Sequence, residues 1–521
     1  MSVLFDVLTR FRVVIVMFVC IPASFLWDTL AYFRNRIVWA FFTTKELHDQ
    51  RVRDIQAQIL QWRKDGAKKM LCTGRASWAT MSIRVADFKK ECNRIMINLP
   101  DILEINTTAP RPYVRTEPGV NMGYMTHFLI PKGYALKCQV EMEDLTIGGL
   151  CCGLGMETTS HKYGLMQETI LAVELVLADG SFIRCTKDEN ADLFRAFPWS
   201  HGSLGFLVAV EVEIMPIKPF IHMTYIPCHS REEYSTRMKE MSTMDNPPEF
   251  LEATIYSKET AVIQAGELVD VKDVPWNKVN HINYFWKPYY FKWVESFLDK
   301  GQADEYIPLR EFYHRFTRSI FWELENLIPF CNHPLYRIFW GWMGPPKISM
   351  LKYTMTPDIR RETMTKHVVQ DIIIPIEEMA TSVAKFHDWF NIYPLLVFPI
   401  RIWKHEGDFL DRLRVAQKEG ESEMYFDLGV YGVPQCVKDG KPFDAIRILR
   451  EMEAYTRDVA GYQCPYADLF CTRAEFRQMF NHTLYDRVRK KYGAAGAFPE
   501  VFDKVKPEKW VSEEIGLLEG S

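Results

Sequence analysis

Ten residues constrain this chain more than any others. Thr146-Ile147-Gly148-Gly149-Leu150-Cys151-Cys152-Gly153-Leu154-Gly155 carry four glycines, and Met156, Glu157 and Thr158 continue the segment. Glycines at such spacing let backbone N–H groups approach a ligand closely and form a nest for phosphate oxygens. The run is not a G-x-G-x-x-G dinucleotide turn, because no strand and helix bracket that spacing, and it lacks the Lys-Ser/Thr ending of a P-loop. Its surroundings sharpen the reading. Glu117-Pro118-Gly119-Val120 precedes it. After it, Val173, Leu175 and Leu177 alternate with Ala172, Glu174 and Val176, and Ala178-Asp179-Gly180 turns the chain into Ser181–Cys185, which predicts a β-hairpin. Ser200-His201-Gly202-Ser203-Leu204-Gly205-Phe206 then leads into another alternating run that stops at Pro216 and Pro219, a predicted domain boundary.

Composition removes whole classes of function. With 63 basic and 67 acidic residues among 521 the net charge is −4, so neither a disordered chain nor a nucleic-acid coat fits. Twelve cysteines contain no C-x-x-C pair, and the adjacent Cys151 and Cys152 suit neither zinc nor a disulfide framework. Reduced, buried thiols are expected, and no metal site.

Val13–Trp27 is uncharged, with Arg10 and Arg12 before it and Arg34 and Arg36 after it. The stretch reaches bilayer-spanning length only when extended through Asp28 to Phe33. Aromatics continue through Trp39, Phe41 and Phe42, and the small-x-small cleavage pattern is poor, which favours a retained membrane anchor over residues 1–44. The basic excess after the segment places the body in the cytosol.

Lys45–Lys64 predicts an amphipathic helix packed through Val52, Ile55, Ile59 and Trp62. Short strands are expected at Met81–Val85, Arg94–Leu99, Ile102–Asn106 and Tyr113–Glu117. Trp276–Trp342 holds twenty aromatics in sixty-seven residues, with helical stretches such as Arg318–Leu327 and interleaved cations. Two readings stand for it: an aromatic core, or a mouth near a membrane surface that admits a large apolar ligand.

The order of the glycine run, the E-P-G-V turn and the S-x-G-x-L-G-F segment resembles the FAD-binding domain of the vanillyl-alcohol oxidase (p-cresol methylhydroxylase, PCMH) type. The strings GRASWATMSIRV, NRIMINLPDILEI, TIGGLCCGLGMETTSHKYGL, ELVLADGSFIRCT, YIPLREFYHRFTRSIFWELENLIPF, GWMGPPKIS, KHVVQD and AFPEVFDKV are similar to those of the Δ24-sterol reductase (Diminuto-like) family. That resemblance runs from about Leu47 to Val505 and takes in the apolar N-terminus. It implies an α+β fold: a two-subdomain PCMH-type FAD-binding domain over 45–218, and an α+β substrate-binding cap over 219–521 whose C-terminal segment returns to the flavin domain. It implies reduction of a sterol side-chain double bond at carbon 24, with FAD bound and NADPH as electron donor, at the endoplasmic reticulum membrane. The anchor would be single-pass, and the partners would be the sterol, membrane lipid and other sterol-biosynthesis enzymes.

Carried over by position, the resemblance assigns Thr146 through Thr158 to FAD, with Gly148, Gly149, Gly153 and Gly155 as backbone donors. Gly202, Leu204 and Gly205 form the second flavin contact. Gly74 and Arg75 lie where the superfamily has its first pyrophosphate loop, but the glycines are depleted there and the histidine that often attaches flavin covalently is missing. Non-covalent FAD is therefore expected. No second dinucleotide motif appears, so NADPH binds at the flavin face or a partner reductase supplies electrons. Because an isolated alkene accepts hydride poorly, an acid must protonate the other carbon. The candidates are Tyr466, His161 and His201, with Glu168 and Glu174 behind them. The competing functions are a flavin oxidase or dehydrogenase of the same fold, and a non-catalytic sterol-binding scaffold.

Overall fold

The computed structural model describes residues 10–42, 44–75, 81, 82, 84, 86 and 88–514. Part of the predicted Met81–Val85 strand and most of the loop after Arg75 lie outside them. Two sheets organise the chain. In the first half, β1 (Leu71–Thr73) pairs in parallel with β2 (Asn93–Ile95). The larger sheet of this half then forms from β3 (Ile102–Asn106), β4 (Tyr113–Thr116), β5 (Tyr134–Leu136), β6 (Ile170–Val176), β7 (Phe182–Thr186) and β8 (Phe206–Pro216). Its order is β3-β4-β8-β6-β7, with β5 on β8. The β6–β7 hairpin closes through Asp179, whose carboxylate accepts from the Ser181 N–H and hydroxyl. The helix Thr44–Lys64 buries Val52, Ile55, Ile59 and Trp62, as their spacing predicts.

Past Pro219 a second sheet takes over: β9 (Phe220–Cys228), β10 (Phe250–Ile255), β11 (Ala261–Val269), β12 (Ala303–Pro308), β13 (Val368–Pro375), β14 (Leu395–Trp403), β15 (Ser422–Gly432) and β16 (Tyr462–Gln463). All its pairings are antiparallel, in the order β12-β9-β11-β10-β14-β15-β13-β16. Because side chains alternate, each strand feeds two cores. Ile372, Ile374, Phe426, Leu428 and Val430 pack under helices Arg231–Thr243, Met379–Trp389 and Ala445–Asp458. Ile373, Phe398, Ile400, Tyr425 and Tyr431 face the other way and share a core with Leu150, Leu154 and Met166 of the first half. The C-terminal part crosses back: Arg489 donates to the Ser203 and Phe498 carbonyls, and Leu71 N–H donates to Ala497.

Three local expectations change. The Arg94–Leu99 strand ends at Ile95, because the Gln58 side chain takes both backbone groups of Met96. Arg318–Leu327 is not one helix: Ile320 and Phe321 adopt positive φ, leaving a 3-10 turn at Thr317–Ser319 and one turn at Leu324–Leu327. The apolar N-terminus extends as helix from Arg12 to Phe41, long and apolar enough to cross a membrane, yet Val16, Met17, Cys20 and Ile21 are buried in the main core. The aromatic segment splits between its two readings. Tyr289, Tyr290, Phe291, Phe312, Tyr313 and Phe316 are core, whereas Trp276, Trp286, Phe330, Phe339 and Trp342 are exposed. All twelve cysteines are free, ten of them buried.

Candidate functional site

The glycine run forms a short helix, Ile147–Cys152, seated on the E-P-G-V turn. Glu117, wholly buried, is clamped by His48 at 2.8 Å, by Arg51 at 2.8 Å and by the Asp101 N–H, so its work is to hold the turn. A Cβ on Gly119 would lie 2.5 Å from the Leu99 carbonyl oxygen, and one on Gly148 would lie 2.4 Å from the Pro118 Cβ. These glycines let backbone pass backbone. Gly148 N–H donates to Pro118, Ile147 N–H to Val120 and Gly153 N–H to Gly149, so the donor role expected of Gly148 and Gly153 is already taken inside the protein. Gly149 is different. It is exposed, and a Cβ there would meet only Thr146 Oγ1, at 3.5 Å. Leu150, Cys151, Leu154, Gly155 and Met156 are buried beneath it, and Cys152 accepts the His201 N–H. Gly202 (φ 68°) carries the turn after His201, Leu204 is core, and Gly205 crosses β6 at the Val176 carbonyl.

Around this loop the structure gathers cations. Arg75 Nη1 donates to Thr146 Oγ1 at 3.2 Å, Lys89 reaches the Arg75 carbonyl at 2.7 Å, and Lys504 donates to the carbonyls of His201 and Gly202. Burial depresses Lys352 to about 8, helped by Arg75, Arg360 and Lys89, and depresses Lys504 to about 8, with Lys89 adding repulsion. Crowded like charges of this kind accept an anion readily. Beside them Thr158 Oγ1, Ser200 Oγ and His201 Nε2 are buried without a protein partner among the described residues. Cation crowding and orphaned polar atoms both fit a bound dinucleotide.

A second cluster lies on the face of the eight-stranded sheet turned toward the first half of the chain. Asp371 on β13 stands directly opposite Gly429 on β15. It accepts the Tyr431 hydroxyl, and a Cβ on Gly429 would sit 2.6 Å from Asp371 Oδ1 and 2.7 Å from Tyr431 Oη. Only glycine leaves room for that pair. Asp427, one register step along, and Tyr466, after β16, complete the group. Burial raises Asp371 to about 6, against the hydrogen bonds it receives from Tyr431 and Tyr466. Burial, then the charges of Asp371 and Glu141, push Asp427 well above the carboxylate range. Burial, then Asp371, holds the Tyr466 phenol well above its ordinary value. Asp371 Oδ2 and Asp427 Oδ1 have no partner among the described residues.

Arg315, fully buried, joins the two halves. It makes bonds of 2.9 and 2.7 Å to Glu252 on β10 and one of 2.7 Å to Glu157 beside the glycine run. Glu157 therefore serves an ion pair, and it lies near Glu141, whose carboxyl is raised well above its usual range by burial and then by the charge of Glu157.

Of the expected acids, only Tyr466 reaches the carboxylate cluster. His161 bonds the Pro248 carbonyl at 2.8 Å and is lowered to about 4 by burial; His201 is lowered to about 3 by burial and Lys504. Both rings are neutral near pH 7, and neither has an imidazolium proton to give. Glu174 is gripped by Arg115 at 3.0 and 2.7 Å and by Arg184 at 3.1 Å, and Glu168 faces His405 at 3.4 Å. Sequence reasoning passed over Asp371, Asp427, Glu141 and the cations Lys89, Lys352 and Lys504.

The family described as FAD binding domain matches residues 63–186. A Delta(24)-sterol reductase of Mus musculus is 43% identical over 493 residues, 94% of this chain and 92% of the relative. A Delta(24)-sterol reductase homolog of Caenorhabditis elegans is 37% identical over 512 residues, 96% and 95% of the two chains. A Delta(24)-sterol reductase of Arabidopsis thaliana is 33% identical over 536 residues, 98% and 94%. Near-complete coverage in animals and plants, with an FAD-binding domain on the loop just described, places this chain in the Δ24-sterol reductase family.

Proposed function

We propose that this chain reduces the carbon-24 side-chain double bond of a sterol, with FAD held non-covalently and NADPH as electron donor, in a flavin domain over 45–218 and a cap over 219–521. The observation that carries the mechanism is the Asp371–Tyr431–Tyr466 cluster on the sheet face opposite the glycine run. Thr146, Gly149, Thr158, Ser200 and Gly202 would hold the FAD, and Arg75, Lys89, Lys352 and Lys504 would balance its phosphates. Bound FAD supplies hydride to one alkene carbon.

The protein's own contribution is the proton and the dry setting. Tyr466, protonated at neutral pH, presents its Oη proton to the other alkene carbon. Asp371 accepts from Tyr431 and so orients that hydroxyl, and the Tyr466 phenol stands beside the same carboxylate. Asp427, whose carboxyl burial and Asp371 push well above the carboxylate range, is the neighbouring proton reserve that would resupply Tyr466. Tyr425, Phe398 and Ile400 on the same face exclude water, which suits an apolar side chain. The body faces the cytosol at the endoplasmic reticulum membrane, where sterol and other sterol-biosynthesis enzymes are available.

The test is anaerobic. NADPH is added to the holoprotein, the loss of flavin absorbance is followed, then a Δ24-sterol is added and the product is weighed by mass spectrometry. Wild type should bleach and then recover as saturated side chain appears. Tyr466→Phe should bleach normally and recover at least about 100-fold more slowly, the lower end of what a lost general acid costs. Recovery within a few-fold of wild type would remove Tyr466 from the proton path.

A further inference from the structure

The helix Arg12–Phe41 touches the body along its whole length. Near its start Phe18 meets Trp340 edge-on at 5.7 Å, and Phe25 meets Trp342 at 5.4 Å. In the middle Ser24 Oγ accepts the Lys347 N–H at 2.9 Å, and Asp28 pairs with Lys347 at 2.7 Å. Toward its end Arg34 pairs with Asp101, and Trp39 packs on Phe128 at 4.4 Å. At 1.5 Å per residue, Phe18 to Trp39 covers roughly 32 Å, as much as the hydrocarbon core is thick (about 30 Å). A helix crossing that core with these contacts intact would draw Lys347, Asp144, Asp101 and Arg51 into lipid, which is strongly unfavourable for charged groups.

The opposite side of the helix is bare and apolar: Leu26, Leu30, Phe33 and Ile37 are each more than half exposed. Beside it the segment Leu335–Trp342 exposes Leu335, Phe339 and Trp342, so the apolar surface continues from the helix onto the body. Exposed Arg10 and Arg36 stand at the two ends of the bare strip, as suits anionic headgroups on one side of a bilayer. A soluble monomer rarely shows so large a continuous apolar surface.

We propose that the helix Arg12–Phe41 lies in the plane of the bilayer's interfacial layer, docked on the body by its inner side, and forms with Leu335–Trp342 one membrane-facing surface. The occupant is lipid, and the chain then sits on one leaflet with both ends of the helix on the same side.

The experiment uses the full chain in microsomes. A glycosylation acceptor is appended before Met1 through a flexible spacer, and Ser24→Cys is combined with Lys347→Cys, two positions that the bond from the Lys347 N–H to Ser24 Oγ brings together. In-plane docking predicts an acceptor without glycan and an oxidant-induced mobility shift that reductant reverses. Retained flavin absorbance in the double variant confirms folding, and the appended acceptor needs no change in the body. Glycan on the acceptor, or no cross-link in a flavin-loaded variant, overturns the proposal. Flotation of purified protein with phosphatidylcholine vesicles, with and without phosphatidylserine, completes the test. Binding should rise with phosphatidylserine and weaken in high salt. A protein that stays dimeric and does not float would assign the surface to a second copy and refute the lipid assignment.

Discussion

Arg315→Met tests the joint between the two halves. The guanidinium is completely buried and makes three bonds to two carboxylates, Glu157 and Glu252, that are themselves completely buried. Methionine fills the volume but leaves both acids facing each other, with Glu141 close to Glu157. Breaking a buried pair in this way costs about 3–5 kcal/mol. The acids can escape only by taking protons. For a carboxyl of ordinary value 4.5, that costs about 3.4 kcal/mol at pH 7, from about 2.5 units at 1.36 kcal/mol each. Two such groups set a ceiling near 7 kcal/mol. Burial already raises Glu252 in the native protein, and loss of Arg315 would raise it further. A folded-state value above the unfolded one gives stability that is complete at low pH and lost as pH rises. The variant should therefore approach wild type near pH 5 and fall away toward pH 8. Urea titration followed by flavin fluorescence at several pH values measures the gap. A difference under 1 kcal/mol at pH 7, or one independent of pH, would refute the reasoning.

Lys352→Met with Lys504→Met should release FAD during gel filtration. In wild type FAD affinity should fall as pH rises through about 8, where both lysines discharge, and calorimetry at pH 8 should record uptake of up to about one proton on binding. Gly148→Val should prevent folding, because its Cβ meets Pro118 at 2.4 Å, whereas Gly149→Val should yield folded protein depleted of flavin; soluble expression and absorbance separate the two. Removing residues before Thr44 should destabilise the body as well as detach it, since Val16, Met17, Cys20 and Ile21 leave the core at about 1.5–3 kcal/mol each, readable in the same urea titration. Neither Asn106 nor Asn481 should carry glycan if the body is cytosolic, so endoglycosidase should leave electrophoretic mobility unchanged.

What was legible in the sequence depended on local period. The 44–64 helix and the β6–β7 hairpin follow from spacings of three, four and two, which need no knowledge of the rest of the chain. The N-terminal helix was only half legible: its apolar length is local, but its docking depends on Trp340, Trp342 and Lys347, some three hundred residues away. The chemistry was hidden for the same reason. Asp371 sits in KHVVQD, Arg315 in YIPLREFYHRF and Lys504 in AFPEVFDKV, strings that marked the family without marking a role. Each role arises from a pairing across 60, 158 and 303 residues respectively. Of the acids the sequence offered, Tyr466 is the one that lies beside Asp371, and it was offered from its place in the returning C-terminal segment.

The two clusters make sense together as charge arrangements that are unfavourable when alone. Lys352, Lys504, Lys89 and Arg75 are all held below their ordinary values by burial, and for the lysines by one another or by Arg75. Asp371, Asp427 and Glu141 are held above theirs by burial, and for the last two by neighbouring carboxylates. A fold shaped for stability alone would have paired these groups with each other, as it did Arg315 with Glu157 and Glu252. Instead the cations gather against the glycine loop, Asp371 and Asp427 lie on the opposing sheet, and Glu141 lies beside Glu157. An anionic dinucleotide at the glycine loop would relieve the repulsion within the first set, and an apolar substrate would keep the second set out of water.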